Sequence, residues 1–200
     1  MPTGRPVFCA LAALLLALLP AMVHPSGFSV FTQNAKALAQ ANAVIAHNDG
    51  PSTLFYNPAL AVDLPGTQAE IGTTVVYDER RFKSDRTGST TGNDSDAKFP
   101  STFYLTQALG ERAAVGLAGF SPFGLGTNWG DGWEGRYIST RSELTTYVVN
   151  PGLAWRVFPG VSLAAGMDYM LLDSRLEKNL NFQPIGLGDG SQKFTADGDA

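Results

Sequence analysis

From residue 67 onward, hydrophobic and polar side chains alternate along the chain with a period of two. This period predicts β-strands, because successive side chains of a strand point to opposite faces of a sheet. The clearest example is Ile71, Thr73, Val75 and Tyr77, which alternate with positions that include Glu70, Gly72, Thr74 and Asp78. The pattern predicts about five strands, one that begins at residue 67 and others at 102–107, 113–120, 142–157 and 161–177.

The segments between these predicted strands alternate in length. Short turns lie at 109–112 and 158–160, whereas the longer stretches 85–98, 121–137 and 178–199 are predicted to be loops. Transmembrane β-barrels have this asymmetry, with short turns on the periplasmic side and long loops on the extracellular side. A secreted β-sandwich is the alternative that this pattern leaves open.

The stretch 27–66 precedes the first predicted strand and lacks the period of two. Its alanine-rich part, 33–46, predicts a short helix, since alanine is the best helix former. The sequence His-Asn-Asp-Gly-Pro at 47–51 breaks this helix, and Pro58 and Pro65 favour an irregular backbone after it. We therefore expect 27–66 to form a compact unit that contains no strand.

The first 26 residues predict a secretory signal peptide. Arg5 supplies a positive charge, and 13 consecutive apolar residues follow at 7–19. That run is shorter than the roughly 20 apolar residues of a membrane-spanning helix. The single cysteine, Cys9, lies inside it, so the exported part of these 200 residues has no disulfide framework. The predicted organisation is a signal peptide at 1–26, a compact segment at 27–66 and strands at 67–200.

The composition favours an exported β protein and argues against several other classes. Charged residues make up 16% of the chain, compared with roughly 25% in an average soluble domain. The net charge of −4 comes without a basic surface for nucleic acid. No later stretch is apolar enough for a spanning helix, so an exported membrane protein of this sequence requires a closed barrel. Enzyme motifs are absent, and His24 and His47 lack metal-ligand spacing, so we expect no enzymatic activity, no cofactor and no metal.

Short motifs follow one another along the chain: QNAKAL at 33–38, DGPS at 49–52, FYNPAL at 55–60, SPFGLG at 121–126, WEGRY at 133–137, SEL at 142–144, NP at 150–151 and AAGMDY at 164–169. In order and spacing this set resembles the FadL/TodX (OMPP1) family of outer-membrane transport proteins for hydrophobic compounds. The resemblance covers nearly the whole chain after the predicted signal peptide.

The resemblance implies a transmembrane antiparallel β-barrel in the outer membrane of a Gram-negative bacterium, with 27–66 folded inside it as a hatch. Members of the family carry long-chain fatty acids or aromatic hydrocarbons to the periplasm without an energy source. The ligand meets a hydrophobic groove among the extracellular loops and enters the lumen, and a shift of the hatch releases it sideways through the wall. Since barrels have about eight strands or more, the chain is expected to be the first part of a longer barrel in contact with outer-membrane lipid.

The region around the loop 121–137 carries many large apolar side chains. Loops that face water rarely expose so many without a binding role. An aromatic belt at the membrane interface is the alternative. The candidates for a groove that binds an acyl chain are Phe120, Phe123, Leu125, Trp129 and Trp133.

Two arginines and one turn complete the set of candidate residues. Arg136 and Arg175 are candidates for binding a carboxylate, because a guanidinium group offers two parallel hydrogen bonds. The family resemblance also implies a basic residue near Arg175, whereas the alternative for both arginines is a rim or lumen charge paired with an acid. Asn57-Pro58-Ala59 predicts a rigid turn that anchors the hatch, since proline fixes φ and asparagine binds neighbouring backbone. An ordinary turn is the alternative for these three residues.

The sequence thus predicts a channel for the passive uptake of long-chain fatty acids or similar hydrophobic compounds. A structural or adhesive outer-membrane protein and a general porin are the alternatives. A porin constriction is expected to carry charges of both signs, whereas 121–137 is mainly aromatic and rich in glycine, which favours the hydrophobic channel. The choice between fatty acid and aromatic hydrocarbon, the cleavage site and the oligomeric state are left open.

Overall fold

The computed structural model describes residues 29–94 and 96–199, and for Leu125 it describes the backbone. The predicted signal peptide lies outside the described residues. In the described part of the chain, two short α-helices come first, α1 (Ala35–Ala39) and α2 (Thr53–Tyr56), and a 3-10 helix follows at Pro58–Asp63. Among the described residues, none of the helices has the length and apolarity needed to cross a membrane.

Strands make up most of the remaining chain, and a second 3-10 helix at Gln183–Ile185 separates the last two of them. The strands are β1 (Thr67–Thr73), β2 (Arg81–Lys83), β3 (Thr90–Gly92), β4 (Ser101–Leu109), β5 (Ala113–Phe120), β6 (Gly124–Asn128), β7 (Arg141–Phe158), β8 (Val161–Gly166), β9 (Tyr169–Leu180) and β10 (Gly190–Asp199). The tight turns β4–β5 and β7–β8 contain Gly110 and Gly160, whose φ angles of 75° and 81° favour glycine.

The strands form one large antiparallel sheet and a small hairpin of β2 and β3. In the large sheet the order is β1-β4-β5-β7-β9-β10, and β6 and β8 also pair with β7. β5 and β6 follow one another along one edge of β7, and β8 and β9 follow one another along its other edge. In the described part of the chain, the sheet therefore has six strand paths, with β1 and β10 at its edges.

The predicted strands and short turns are present, and β10 adds a further path. The prediction of a loop over 178–199 is wrong, because β9 continues to Leu180 and β10 pairs with it from Gly190 to Asp199. The apolar residues of β10 are Phe194 and Ala196, so its hydrophobic alternation is too weak to recognise in the sequence. The predicted loops 85–98 and 121–137 likewise contain the short strands β3 and β6.

One face of the sheet, here called the inner face, is covered by residues 29–66, here called the N-terminal segment. Leu54, Ala61 and Val62 of this segment are buried in a core shared with the sheet. Because most of the sheet side chains in that core are small, the segment packs close to the wall. These sheet residues are Tyr104, Ala114, Ala118 and Ala154.

The opposite, outer face exposes large apolar side chains. Val115, Leu117, Tyr147, Leu153 and Trp155 are each more than a third exposed. In a soluble β-sandwich such side chains lie between two sheets. Here they form an apolar outer surface, as in the wall of a transmembrane β-barrel. The fold is therefore that of an antiparallel barrel wall, and the sandwich alternative is excluded.

Candidate functional site

The wall is interrupted between β5 and β6, at the residues Ser121-Pro122-Phe123. Pro122 has no N–H group and cannot donate to a neighbouring strand. At Phe123 the side chain of Thr146 on β7 replaces the missing strand pairing. The Thr146 hydroxyl accepts a hydrogen bond from Phe123 N at 3.0 Å and donates one to Phe123 O at 2.7 Å. The interruption is thus a defined feature with its own hydrogen bonds.

The beginning of the N-terminal segment fills this interruption. Val30 N donates to Pro122 O at 2.7 Å. The side-chain amide of Gln33 donates to Ser121 O at 2.8 Å and to Val30 O at 2.7 Å. A buried carbonyl without a partner costs about 1–3 kcal/mol. These bonds therefore stabilise the arrangement in which the segment closes the wall.

Polar contacts hold the same part of the segment against β1 and β4. Gln33 is 1% exposed, and its backbone carbonyl oxygen accepts a hydrogen bond from Tyr104 Oη at 3.1 Å. Asn34 caps α1, and its side-chain amide donates to Ser52 Oγ at 2.8 Å and to the Glu70 carboxylate. The residues beside the interruption are consequently fixed by wall groups on two strands.

Deeper on the inner face, Leu54 packs over Gly116 of β5. An added Cβ at Gly116 would lie only 2.5 Å from Leu54 Cδ2, so glycine is needed here for the segment to approach the wall. Next to this contact, Phe120 packs edge to face on Phe55, with ring centroids 4.9 Å apart. The structure therefore places the candidate Phe120 against the N-terminal segment.

The candidate turn Asn57-Pro58-Ala59 joins two parts of the N-terminal segment. Asn57 Nδ2 donates to Ile45 O at 2.8 Å, and Thr53 Oγ1 donates to Asn57 O at 2.9 Å. Pro58 begins the 3-10 helix, and Ala59 lines an open cavity of about 670 Å³ near the short turns of the sheet. The turn binds within the segment itself, and its role as an anchor stays a prediction.

A cavity of about 280 Å³ lies at the interruption. The candidate Phe123 lines it together with Val30 of the N-terminal segment and Leu144 of β7. Its lining also includes Thr146, which is buried on the inner face, and Tyr147, which is exposed on the outer face. The cavity is therefore bounded by residues from both faces of the wall.

The two tryptophan candidates line a larger cavity at the end of the sheet where the long loops lie. Trp129 and Trp133 stack with ring centroids 5.0 Å apart and planes inclined by 20°. Trp133 Nε1 donates to Ser139 O at 2.8 Å, which fixes the ring. The cavity measures about 600 Å³, and Leu176 and Phe194 line it from the sheet. Its size and aromatic lining suit part of an apolar ligand.

Both arginine candidates are paired with an acid. Arg136 Nε donates to Asp189 Oδ2 at 3.0 Å, and Tyr137 Oη donates to Asp189 Oδ1 at 2.9 Å. These two hydrogen bonds hold the pKa of the Asp189 carboxyl below its ordinary value. Arg175 Nε donates to Glu177 at 2.7 Å, on the outer face of β9. The binding of a ligand carboxylate by either arginine stays a prediction.

Lys178 is a cation that the sequence reasoning missed. It lines the cavity of Trp129 and Trp133. Within 29–94 and 96–199, none of the ion pairs involves its ammonium group. The sequence reasoning placed residue 178 in a loop, so its position on β9 could not be recognised.

Gln33 was also missed as a functional residue, although it begins the motif QNAKAL.

The structure brings the sequence candidates together at two places. Phe120 and Phe123 lie at or beside the interruption, and the two tryptophans lie with Arg136 in the long-loop region. β6 connects the two places, and its residue Leu125 pairs through the backbone with Leu144. Arg175 belongs to neither place, because it lies on the outer face.

The chain has the features of an outer-membrane β-barrel with an internal N-terminal segment. Its wall is apolar on the outside, the segment packs on the inner face, and the same segment fills the interruption. The chain belongs to the family described as outer membrane protein transport protein (OMPP1/FadL/TodX), whose model matches residues 16–197. Its members are β-barrel proteins of the outer membrane, which is therefore the location of this protein.

Two similar proteins support this assignment. The crystal structure of a Pseudomonas aeruginosa FadL homologue has a TM-score of 0.69 and 19% sequence identity, over 87% of this chain and 47% of that chain. A protein of Neisseria meningitidis serogroup B, named as a candidate outer-membrane protein, is 29% identical over an alignment 118 residues long that covers 54% of this chain and 25% of the relative. The chain thus spans about half the length of one similar protein and a quarter of the other.

Proposed function

We propose that this chain forms part of an outer-membrane channel for the passive uptake of hydrophobic compounds, with long-chain fatty acids as the main substrate class. The observation that carries the proposal is the interruption at 121–123, filled by the N-terminal segment. A continuous sheet of hydrogen-bonded strands gives an apolar molecule no route from the lumen into lipid. An interruption that a separate segment can vacate provides such a route.

The first binding position is the cavity of Trp129 and Trp133. Its aromatic rings and the side chains of Leu176 and Phe194 suit an acyl chain, since each offers apolar surface. Lys178 supplies a compact positive charge on the same cavity. A ligand with a long apolar chain and one carboxylate matches this combination better than a neutral hydrocarbon does.

The second position is the cavity at the interruption, where Phe123 and Leu144 offer apolar contacts. This cavity opens fully only when the hydrogen bonds of Val30 with Pro122 and of Gln33 with Ser121 are broken. Each such bond contributes about 0.5–1.5 kcal/mol net. A ligand that binds the displaced arrangement more tightly can supply this amount and shift the equilibrium. The N-terminal segment thereby acts as a hatch for the wall as well as for the lumen.

A reversible cross-link between the hatch and the wall tests the proposal. An ideal Cβ at Gly124 would lie 3.9 Å from Val30 Cγ2, which is close enough for a disulfide after small adjustments. We expect the full-length variant Val30→Cys with Gly124→Cys to lose uptake of radiolabelled oleate when oxidised. Uptake should return after reduction, because the hatch is then free to move.

A disulfide within the wall provides the matched control. Thr73 and Ser101 are direct partners of β1 and β4, with side-chain oxygens 3.2 Å apart. The variant Thr73→Cys with Ser101→Cys should take up oleate equally well when oxidised and reduced, since no hatch contact changes. Full uptake by the oxidised Val30–Gly124 variant, with cross-linking verified by mass spectrometry, would refute movement of the hatch at this place.

A further inference from the structure

We propose that the outer face of the wall, near the long loops, binds the phosphate groups of the glycolipid in the outer leaflet. The inference rests on the outer-membrane location and is independent of the proposed transport. On β7 the outer face is apolar from Trp155 to Tyr147, and it becomes charged at Glu143 and Arg141. All four residues share one face, because their residue numbers differ by even numbers.

The charged residues lie at the height of lipid headgroups. Glu143 lies four positions from Tyr147, which corresponds to about 13 Å along a strand. Barrel strands are tilted by roughly 35–45°, so the rise along the membrane normal is about 10 Å. Aromatic side chains of barrels lie at the membrane interface. A position about 10 Å beyond Tyr147 is therefore outside the hydrocarbon and within reach of headgroup phosphates.

Cations outnumber carboxylates in the ion-paired cluster, although the whole chain has a net charge of −4. The members of this cluster are Arg141, Arg175, Lys98, Lys193, Glu143 and Glu177. In the strand register Glu143 lies opposite Arg175, and Glu177 lies opposite both Arg141 and Lys193. The two carboxylates are shared among four cations. The ion pairs are Arg141–Glu143 at 3.0 Å, Arg175–Glu177 at 2.6 Å, Lys193–Glu177 at 3.8 Å and Lys98–Glu143 at 4.0 Å.

Lys98 reaches the cluster by crossing β6 at a glycine. An added Cβ at Gly126 would lie 2.8 Å from Lys98 Cε, and Gly126 is the register partner of Glu143. The absence of a side chain at Gly126 thus lets the lysine lie across the strand on the outer face. The stretch that precedes β4 contributes a charge to the cluster in this way.

Other carboxylates limit where a phosphate can bind. Asp173 and Asp197 are register partners one row nearer the apolar band. A phosphate is therefore expected at the margins of the cluster. Lys98 and Lys193 are the most exposed of the four cations, at 44% and 57%, and they have the longest ion pairs. Each of these ammonium groups has three N–H donors, and those not used in its ion pair can bind a phosphate.

Binding of fluorescent diphosphoryl lipid A to the full-length protein in nanodiscs of phosphatidylcholine tests the proposal. Lys98→Gln and Lys193→Gln leave both arginine–glutamate pairs in place, so the wall should still fold. Each substitution is expected to weaken binding about fivefold, since a cation near an anionic lipid surface contributes roughly one kcal/mol. Lys83→Gln on the β2–β3 hairpin removes the same charge outside the cluster and should leave binding unchanged.

The double variant Lys98→Gln with Lys193→Gln should bind lipid A more weakly than either single variant, and the difference should shrink in high salt. Dephosphorylated lipid A should bind the parent as weakly as diphosphoryl lipid A binds the double variant. Parent-like binding by the double variant would overturn the proposal. Equal binding of dephosphorylated and diphosphoryl lipid A to the parent would also overturn it, because acyl chains alone would then account for the contact.

Discussion

A single methyl group at Gly116 should loosen the N-terminal segment from the wall. In the variant Gly116→Ala the new Cβ would lie 2.5 Å from Leu54 Cδ2 and 3.2 Å from Leu54 Cγ. A change of rotamer cannot easily relieve a clash that includes Cγ, and Leu54 is only 8% exposed. Overpacking of this kind typically costs about 1–3 kcal/mol.

The wall should keep its place while the segment moves. β5 pairs with β4 on one side and with β7 on the other, whereas Leu54 belongs to a segment held by separate contacts. A cost of about 1–3 kcal/mol raises the population of the displaced segment about 5- to 150-fold. Amide hydrogen exchange of 52–56 in the full-length protein reports this population, because exchange there requires local opening.

Gly152→Ala is the matched control. Gly152 is the register partner of Gly116, but the nearest atoms to its added Cβ are 3.6 Å away, an ordinary contact. This variant should exchange at the parent's rate. Adding Leu54→Ala to Gly116→Ala should remove the clash, so the two substitutions should be strongly non-additive. Exchange in Gly116→Ala as slow as in Gly152→Ala would refute the close contact on which the reasoning depends.

Three further predictions concern single groups. Lys178→Gln should weaken the binding of oleate about fivefold, as expected for a partly exposed charge pair. The binding of a neutral aromatic hydrocarbon should not change, and equal losses for both ligands would contradict a role of Lys178 in binding the carboxylate. The contact of Arg136 with Asp189 should persist on acidification and be lost only below the ordinary aspartate pKa of about 3.9. Folding lowers the pKa of this carboxyl, so its stabilising effect is fully present above the ordinary pKa. The effect is lost as the pH falls through the lowered pKa of the folded state. Tryptophan fluorescence in a Trp155→Phe background follows this contact, and a transition above the ordinary value would contradict the stated cause. Asn57→Ala removes a hydrogen bond that contributes about 0.5–1.5 kcal/mol, so it should slow oleate uptake while the barrel keeps its heat-modifiable migration on gels; normal uptake would leave Asn57 as part of an ordinary turn.

The sequence predicted the strands in which alternation is strong. In β4, for example, Thr102, Tyr104 and Thr106 are buried while Phe103 faces outward. β10 was missed because its backbone pairing depends on β9 and its own alternation is weak. Local patterns cannot reveal a strand whose stability comes from its neighbour.

The candidate site was predictable in its residue types and less so in its geometry. The aromatic residues near 121–137 were recognised, and Trp129 and Trp133 line a common cavity. The pairing of Arg136 with Asp189 joins residues 53 positions apart and depends on how two loops meet. The contact of Gln33 with Ser121 spans 88 positions for the same reason. Contacts of this kind follow from the fold and are not visible as motifs.

The most direct test of the central claim is the planar-bilayer conductance of the full-length protein after deletion of residues 30–60. If the N-terminal segment closes the lumen and the interruption, the deletion should leave a barrel that inserts normally and conducts small ions far better than the parent does. Heat-modifiable migration on gels verifies insertion of the folded barrel. A conductance as low as that of the parent, in a properly inserted variant, would contradict the claim that this segment is the hatch.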